Sequence, residues 1–261
     1  MSLRRFNNYD FYTLQPVLAW NPLAMRCARK DAGCANCWHL RMADRLAANP
    51  KLDEGVRDCY RGEDVLMIAY EELPKSPRII AVQFMGDLWI DNPRVDWARE
   101  GVLNAIKNHP QHIFLLLTKR PERVTETLPE NCWLGTSVHN QESAEKRVPA
   151  LLATRAAHKW LSVEPMLGEV DFNYTALTVG FNGEPDGMRL GSNGRPVVEW
   201  IACGAETGFK ARQCDPEWIA NVAAFCDEGD IPFYDKRKPS ADGFIRREWP
   251  EEWMEKIGGA K

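Results

Sequence analysis

His112-Ile113-Phe114-Leu115-Leu116-Leu117-Thr118-Lys119 is an uninterrupted apolar run that ends in two polar residues. A run that is apolar throughout, rather than at alternate positions, is typical of a strand buried on both faces of a parallel sheet. The same plan recurs along the chain in residues 17–20, 78–84, 132–138, 159–163, 199–203 and 231–236. Each of these runs is therefore predicted to be a strand of one sheet.

Segments with helical spacing of apolar residues separate these runs. The predicted helices span residues 38–47, 93–108, 141–155 and 215–228. Strands that alternate with helices predict an α/β fold, with a parallel sheet covered by helices. Six or seven such units, about 25–35 residues apart, favour a full or partial (β/α) TIM-type barrel over a Rossmann sheet. No helix opens on a GxGxxG or Walker loop.

The composition is that of a folded globular domain. The chain has 261 residues, 44% of them hydrophobic, and a net charge of -4, which argues against a basic protein that coats nucleic acid. We expect one domain over residues 1–261, with irregular insertions near residues 49–77 and 173–197. The second insertion is rich in glycine, and we interpret it as a surface loop in preference to a lid. Because we find neither a secretion signal nor a run long enough to cross a membrane, we expect a cytoplasmic location.

Three cysteines lie close together after the first predicted strand. Cys27, Cys34 and Cys37 have the spacing C-x6-C-x2-C, and the last one precedes a helix N-terminus, where partial positive charge favours an anionic ligand. Iron–sulfur clusters are usually held by four thiolates, so three thiols suggest a cluster with one iron left open. Two alternatives are a zinc site, which needs four ligands and would have to recruit His39, and thiols without a metal. The other five cysteines are scattered, and we expect them to be buried apolar side chains.

Polar residues able to bind or react follow nearly every predicted strand. In β/α barrels, the carboxyl ends of the strands form the active site. The residues at these ends are Asp87, Thr118, Lys119, Ser137, Glu164, Glu206 and Lys236. We therefore expect one shared pocket there, next to the cysteine loop. A buried Glu164 would need a cationic partner or a ligand, and the candidate partners are Lys119 and Lys236.

Aromatic and basic residues give two weaker signals. Five of the ten tryptophans lie in or beside apolar runs, and we expect them in the core; they are Trp89, Trp97, Trp133, Trp160 and Trp200. The basic pairs are Arg120/Arg123, Arg237-Lys238 and Arg246-Arg247. These pairs either contact phosphates or are simply solvated surface charges.

The cysteine loop, between the first strand and the first helix of a predicted barrel, resembles that of the radical S-adenosylmethionine (SAM) superfamily. Cys34-Ala35-Asn36-Cys37 keeps the second half of the usual C-x3-C-x2-C motif, whereas the C-x6-C half is longer. The chain also resembles an uncharacterised radical-SAM-like family of phages, prophages and bacteria. The blocks that carry this resemblance are WNP at 20–22, GCANC at 33–37, LTKRP at 117–121, WLGTSV at 133–138, LSVEPM at 161–166, GAETG at 204–208 and AR at 211–212. The chain departs from that family at residues 233–237, where Lys-Gln is usual.

The resemblance implies that Cys27, Cys34 and Cys37 hold three irons of a [4Fe–4S] cluster, whose fourth iron chelates S-adenosylmethionine. Its reductive cleavage would give a 5′-deoxyadenosyl radical that abstracts hydrogen from a substrate, with electrons from an external flavodoxin or ferredoxin. The residues expected around the cofactor are Trp38, Gly86, Asp87, Thr118, Ser137 and Arg212. The residues expected to act in catalysis are Lys119, Glu164 and Glu206.

The sequence says little about the substrate. A phage origin would favour a nucleotide or a DNA base, with isomerisation of an amino-acid-derived group on thymine as the reaction and the host cytoplasm as the location. A repair enzyme similar to DNA photoproduct lyases is a second hypothesis. A third is a non-catalytic nucleic-acid-binding protein stabilised by zinc or a cluster. Because carboxylates repel a phosphate backbone, the acidic strand ends favour an enzyme.

Overall fold

A computed structural model describes residues 4–5, 17–68, 73–175, 177, 190, 194, 196–208, 210–237 and 245–258. The strands are β1 (Arg4–Arg5), β2 (Leu18–Trp20), β3 (Leu23–Ala24), β4 (Leu66–Met67), β5 (Ile79–Val82), β6 (Ile113–Thr118), β7 (Cys132–Val138), β8 (His158–Val163), β9 (Trp200–Cys203) and β10 (Phe233–Asp235). The helices are α1 (Trp38–Ala47), α2 (Glu54–Arg61), α3 (Pro93–Lys107), α4 (Gln141–Leu152), α5 (Pro216–Glu228) and α6 (Glu251–Gly258). Short 3-10 helices cover Ala32–Cys34, Pro121–Arg123 and Phe172–Tyr174.

Seven parallel strands form a sheet that curls into a half-barrel. Their order is β2-β5-β6-β7-β8-β9-β10, with β1 added antiparallel to β2 at one edge. The order never reverses, as it would at the centre of a Rossmann sheet. The prediction of an α/β fold with a partial β/α barrel is therefore confirmed.

Each strand contributes side chains to two separate cores, because successive residues point to opposite faces. In β5, Ile80 and Val82 belong to the larger core, which includes apolar side chains of α3, α4 and α5, whereas Ile79 and Ala81 face the inside of the half-barrel. The inner core also contains Trp253 of α6, which has no exposed surface. Helix α6 therefore closes the end of the half-barrel opposite the carboxyl ends of the strands.

Helix ends follow local sequence signals. The side chain of Asn92 caps α3 and that of Asp215 caps α5, each followed by a proline that has no N–H to satisfy. Asn140 and Ser143 form a reciprocal capping box at the start of α4. These caps fix where each helix begins after its strand.

Two sequence predictions were wrong. The described part of residues 49–77 is not irregular throughout, since it contains α2 and β4. Helix α2 is capped by the Asp53 side chain and ends at Gly62, whose φ of 95° suits glycine. Trp97 is 79% exposed on the outer side of α3, although the other four tryptophans predicted to be in the core are buried.

Most of the predicted glycine-rich insertion at residues 173–197 lies outside the described residues. An isolated antiparallel bridge joins Leu190 and Pro196. Within the described part of the chain, we find no helix with the length and apolar character needed to cross a membrane.

Candidate active site

A cavity of about 740 Å³ opens at the carboxyl ends of the parallel strands, a size typical of sites for small molecules. The strand-end residues predicted to share a pocket do line it, namely Asp87, Thr118, Lys119, Ser137, Glu164, Glu206 and Lys236. The three cysteines of the loop line it as well. One cavity is therefore lined both by the predicted strand-end residues and by the three cysteines.

Strand register arranges the inner wall of the cavity in layers. The lowest layer contains neighbours from β6 to β9, which are Leu117, Gly135, Trp160 and Trp200. The next layer, from β7 to β10, contains Ser137, Ser162, Ala202 and Tyr234. The upper layer follows the ends of β8, β9 and β10 and contains Glu164, Gly204 and Lys236. The wall is thus aromatic at the bottom, hydroxylic in the middle and charged at the top.

Glu164 and Lys236 form an ion pair in the upper layer. A β-carbon at Gly204 would lie 3.1 Å from Lys236 Cβ and 3.3 Å from Glu164 Oε1. The glycine therefore gives the two charged side chains room to meet. Lys236 was one of the two partners predicted for Glu164, and that prediction is confirmed.

The cysteine loop runs from Cys27, just after β3, to Cys37 at the N-terminus of α1. Cys34 lies in a 3-10 helix that begins after Asp31, whose carboxylate accepts a hydrogen bond from the Gly33 N–H at 2.9 Å. Trp38, which was expected beside the cofactor, begins α1 and is 46% exposed. The loop therefore has defined backbone structure between its cysteines.

Several long-range contacts anchor this loop to the rim of the half-barrel. Arg120 donates to the Ala28 carbonyl and Arg212 to the Ala32 carbonyl, each at 3.0 Å. Arg147 of α4 forms an ion pair with Asp31, and Lys30 forms one with Glu122 at 2.7 Å. The residues that lengthen the first cysteine spacing are thus held from several sides.

Asp87, at the end of a turn after β5, is the centre of a buried network. Its carboxylate accepts from Thr118 Oγ1 at 2.7 Å, from the Trp89 and Lys119 N–H groups at 3.0 Å, and from Arg120 Nη1 at 3.1 Å. Because a carboxylate has about four acceptor sites, little of its capacity is left for an amine of a cofactor. Thr118 is occupied as well, since its hydroxyl also accepts from the Arg120 N–H.

Glu206 and Arg212 pair with each other. Arg212 donates to both carboxylate oxygens of Glu206 at 2.6–2.9 Å, and Asn36 Nδ2 donates to one of them at 2.9 Å. The hydrogen bond from Arg212 lowers the pKa of Glu206 to about 2. Glu206 is therefore a permanent carboxylate near neutral pH, suited to holding the cysteine loop and unsuited to donating a proton.

Burial changes the pKa of one thiol of the loop and of a lysine next to it. Burial, and next the charge of Asp87, raise the pKa of the Cys27 thiol to about 12. Burial also lowers the pKa of Lys119, although negative charge on Cys34 and Cys37 acts in the opposite direction. Positive charge at this point of the cavity is therefore favoured when the thiols are ionised.

The family model for DUF5131, described as proteins of unknown function, matches residues 16–248. The chain belongs to DUF5131. The matched part of this DUF5131 protein includes every residue that lines the cavity, whereas α6 lies beyond it. No curated protein and no solved structure gave a match.

In the DUF5131 protein, His39 is poorly placed to complete a zinc site. Its Nε2 accepts a hydrogen bond from the Cys27 N–H at 3.3 Å, and its Nδ1 is enclosed by the protein without a hydrogen-bond partner. Burial, with a smaller effect of Arg26, lowers its pKa to about 4, so the ring is neutral and the obstacle is its placement rather than its charge. Thiolates on one zinc ion lie about 3.8 Å apart, given Zn–S bonds of about 2.3 Å in a tetrahedron. Among the described residues, the set whose ligand atoms all lie within 4.8 Å of one another is His158, Glu199 and Glu252, at the opposite end of the barrel. The cysteines are thus not drawn together around a single ion.

The basic pairs expected to contact phosphates are largely used within the DUF5131 protein. Arg120 is 7% exposed and paired with Asp87, so it is not a surface charge. Arg237 pairs with Asp235, and Arg246 pairs with Asp227 and Glu248. Lys238 lies outside the described residues. These contacts argue against a phosphate-binding surface at the described positions.

Sequence reasoning did not find several residues of the site. The missed residues are Asp31, Asn36, Arg147, Ser162 and the cavity-facing role of Trp160 and Trp200. Asn36 could have been found from its place between two cysteines. Arg147 carries no local signal, because its partner Asp31 is far away in the sequence. Gly86, which was expected near the cofactor, does line the cavity, with a φ of 144° that suits glycine.

Proposed function

We propose that this protein is a radical SAM enzyme, in which Cys27, Cys34 and Cys37 hold a [4Fe–4S] cluster with one iron open to S-adenosylmethionine. The single observation that carries the proposal is the position of these three thiols on one anchored loop over the cavity at the carboxyl ends of the strands. Among the described residues that line the cavity there is no fourth cysteine. The other cysteines belong to apolar cores.

The donor set fits such a cluster. Thiolates are the usual ligands of the irons in such a cluster, and His39, the nearest alternative ligand, uses its Nε2 in a backbone hydrogen bond. A cluster held there would, when reduced, supply the one electron that cleaves a C–S bond of S-adenosylmethionine to give methionine and a 5′-deoxyadenosyl radical. An external flavodoxin or ferredoxin is proposed as the electron donor.

The protein's own residues would position the reactants and exclude water. Lys119 is the cation beneath Cys34 and Cys37, and we assign it to the carboxylate of the cofactor. Arg120 and Arg212 hold the loop through backbone carbonyls, so we assign them to positioning. Asp87 and Glu206 act through those arginines, since their oxygens already accept several hydrogen bonds.

The substrate is proposed to be a nucleoside or DNA base carrying a group that is isomerised by hydrogen abstraction. The Glu164–Lys236 pair lies across the cavity wall, where it can contact such a group. The alternative substrate is damaged DNA, since a repair reaction similar to that of DNA photoproduct lyases would use the same radical chemistry. The non-catalytic zinc-binding hypothesis is less well supported, because of the position of His39.

The test is to purify the protein anaerobically, reconstitute it with iron and sulfide, reduce it with dithionite and add S-adenosylmethionine. Iron and sulfide content, the electron paramagnetic resonance spectrum and 5′-deoxyadenosine are measured. The wild type should give product and Cys34→Ala should not. Cys214→Ala is the matched control, because Cys214 is a half-buried cysteine away from the cavity, and it should behave as the wild type.

A protein that holds a reducible cluster and still forms no 5′-deoxyadenosine would overturn the proposal. Zinc bound without sulfide would favour the non-catalytic hypothesis instead.

A further inference from the structure

Six serine and threonine side chains are buried within the described residues: Thr118, Thr136, Ser137, Ser143, Ser162 and Thr175. Four of these hydroxyls donate to a protein oxygen at 2.7–2.9 Å, and they are Thr118, Thr136, Ser143 and Thr175. The hydroxyls of Ser137 and Ser162 have no hydrogen-bond partner among the described residues. Ser137 is 5% exposed and Ser162 is 2% exposed. Neither oxygen is among the fully enclosed polar atoms that lack a partner, so the hydroxyls of these two exceptions remain open to a ligand.

Both exceptions line the cavity. Ser137 of β7 and Ser162 of β8 are direct neighbours in the register of the sheet, so their hydroxyls form an adjacent pair on the inner wall. The layer directly below contains the indoles of Trp160 and Trp200. The wall therefore offers two hydroxyls above an aromatic surface.

Two of the three cations that line the cavity among the described residues are already paired. Of the lysines and arginines that line the cavity among the described residues, Arg120 pairs with Asp87 and Lys236 pairs with Glu164. Lys119 lies beneath the cysteine loop, next to Cys34 and Cys37. Lys119 forms no ion pair among the described residues, but the proposed function gives it the carboxylate of the cofactor. A phosphate at the serine pair would therefore have only Lys119 to draw on, whereas an uncharged polar group would need no cation.

We propose that Ser137 and Ser162 form the subsite for an uncharged polar group of the substrate, which has a hydrogen-bond acceptor next to a donor, as in a cyclic amide. A hydroxyl both donates and accepts, so two adjacent hydroxyls match a neighbouring C=O and N–H, while the apolar body of the ring lies against the indoles. This inference rests on the proposed function in one respect, namely that the ligand bound here is the substrate. It makes the base of a nucleoside, rather than its phosphate, the part that enters the barrel.

The test uses uracil as the cyclic-amide probe and orthophosphate as the charged probe, titrated into the metal-free protein by saturation-transfer nuclear magnetic resonance. Ser137→Ala and Ser162→Ala should each weaken uracil binding about 5-fold, and the double variant should weaken it more than 10-fold, since a net hydrogen bond is lost at each site. Ser76→Ala is the matched control, because Ser76 is a half-buried serine outside the cavity. It should bind as the wild type does.

A second measurement separates the substrate from the cofactor. The affinity of the cluster-loaded protein for S-adenosylmethionine should change less than 2-fold in the double variant. Loss of that affinity, with uracil binding kept, would assign the pair to the cofactor and overturn the inference. Uracil binding that is undetectable in the wild type, unchanged in the double variant, or weaker than orthophosphate binding would overturn it as well.

Melting temperature provides a structural check. The substitutions remove no protein hydrogen bond, so the metal-free variants should melt no lower than the wild type. Failure to fold, or a large drop, would show that the hydroxyls support the fold and would also overturn the inference. Because the uracil titration needs no cluster, its outcome is independent of whether 5′-deoxyadenosine is ever formed.

Discussion

Gly135 faces the inside of the half-barrel from β7, and the indole of Trp160 lies across it. An added β-carbon would lie 2.3 Å from Trp160 Cε2, while Trp160 Nε1 donates to the Trp133 carbonyl at 3.0 Å. The absence of a side chain at one residue thus allows a tryptophan of the next strand to form the floor of the cavity.

We predict that Gly135→Ala lowers the free energy of unfolding by about 1–3 kcal/mol, the range for overpacking a tight core. Urea denaturation measures it. Gly258→Ala is the matched control, because an added β-carbon there has no atom within 4 Å, and it should not destabilise the protein. A Gly135→Ala protein as stable as the wild type would contradict the packing described here.

The buried His112 makes the free energy of unfolding depend on pH. It is fully buried, its Nδ1 accepts from the Arg78 N–H at 3.1 Å, and burial, followed by the charge of His109, lowers its pKa to about 4. The folded state therefore resists a proton that the unfolded state takes up near pH 6.5. Stability from this residue is present above pH 6.5 and is lost as the pH falls towards 4, by an amount on the order of 3 kcal/mol.

The measurement is the free energy of unfolding from pH 7 to pH 4 for the wild type and for His112→Asn, which cannot be protonated. The difference between the two should shrink as the pH falls. His158→Asn gives a contrast of opposite sign. Burial, the largest single effect, lowers the pKa of His158, but the hydrogen bond with Glu199 and the negative charges of Glu199 and Glu252 together outweigh it and raise the pKa. Stability from His158 is therefore present below pH 6.5 and lost as the pH rises through the raised pKa.

At the scale of elements, the cysteine loop is held mainly by contacts distant in sequence. Arg147 of α4 is 5% exposed, pairs with Asp31 and donates to the Ser137 carbonyl at 2.6 Å. It therefore connects a helix on the outside of the sheet, a strand end and the loop. The longer C-x6-C spacing does not imply a loose loop, because the additional residues include Asp31.

We predict that Arg147→Gln loosens the loop, because it leaves the Asp31 carboxylate without its cationic partner. Breaking such a buried pair costs on the order of 3 kcal/mol, so alkylation of Cys34 in the metal-free protein should become at least about tenfold faster. Mass spectrometry of iodoacetamide-treated protein measures the rate. Arg155→Gln is the control, since Arg155 forms an exposed hydrogen bond to Thr125. Equal rates in the three proteins would show that Arg147 does not hold the loop.

The sequence was sufficient to locate most of the elements. The run at residues 112–117 is observed as Ile113–Thr118, and the helix predicted at 93–108 as Pro93–Lys107, because apolar periodicity and caps are local signals. Helix α2 was missed, although Asp53 and Gly62 mark its ends, because a polar stretch with nearby prolines resembled a loop. Local signals can be outweighed in this way when an element is short.

The candidate site was predictable only as a set of strand ends. The sequence indicated that Asp87, Thr118 and Lys119 lie close together, but not that Asp87 uses its oxygens within the protein. Nor could it indicate that Ser137 and Ser162 are neighbours, because that depends on the register between two strands. Such pairings are set by long-range packing.

At the scale of the whole molecule, α6 completes the inner core. Trp253 has no exposed surface and packs edge-on against Trp133 and Trp200, with ring centroids 4.8 Å and 5.0 Å apart. We predict that Trp253→Ala lowers the free energy of unfolding by about 3–5 kcal/mol, as for other large aromatic truncations in cores. Urea denaturation of the wild type, Trp253→Ala and Trp97→Ala measures it.

Trp97→Ala is the matched control, since 79% of that side chain is exposed, and its effect should stay within about 0.5 kcal/mol. Similar losses in the two variants would mean that α6 does not seal the barrel as described.

The position of α6 also has a consequence for biosynthesis. Synthesis proceeds from the N-terminus, and early segments start to fold while later ones are still being made. The side chains of the tryptophans in β7 and β9 therefore stay uncovered on one side until residues 251–258 have been synthesised. Until then, the partly folded half-barrel exposes an apolar aromatic surface near the ribosome. The addition of α6 thus sets the point in synthesis at which this aromatic surface is covered.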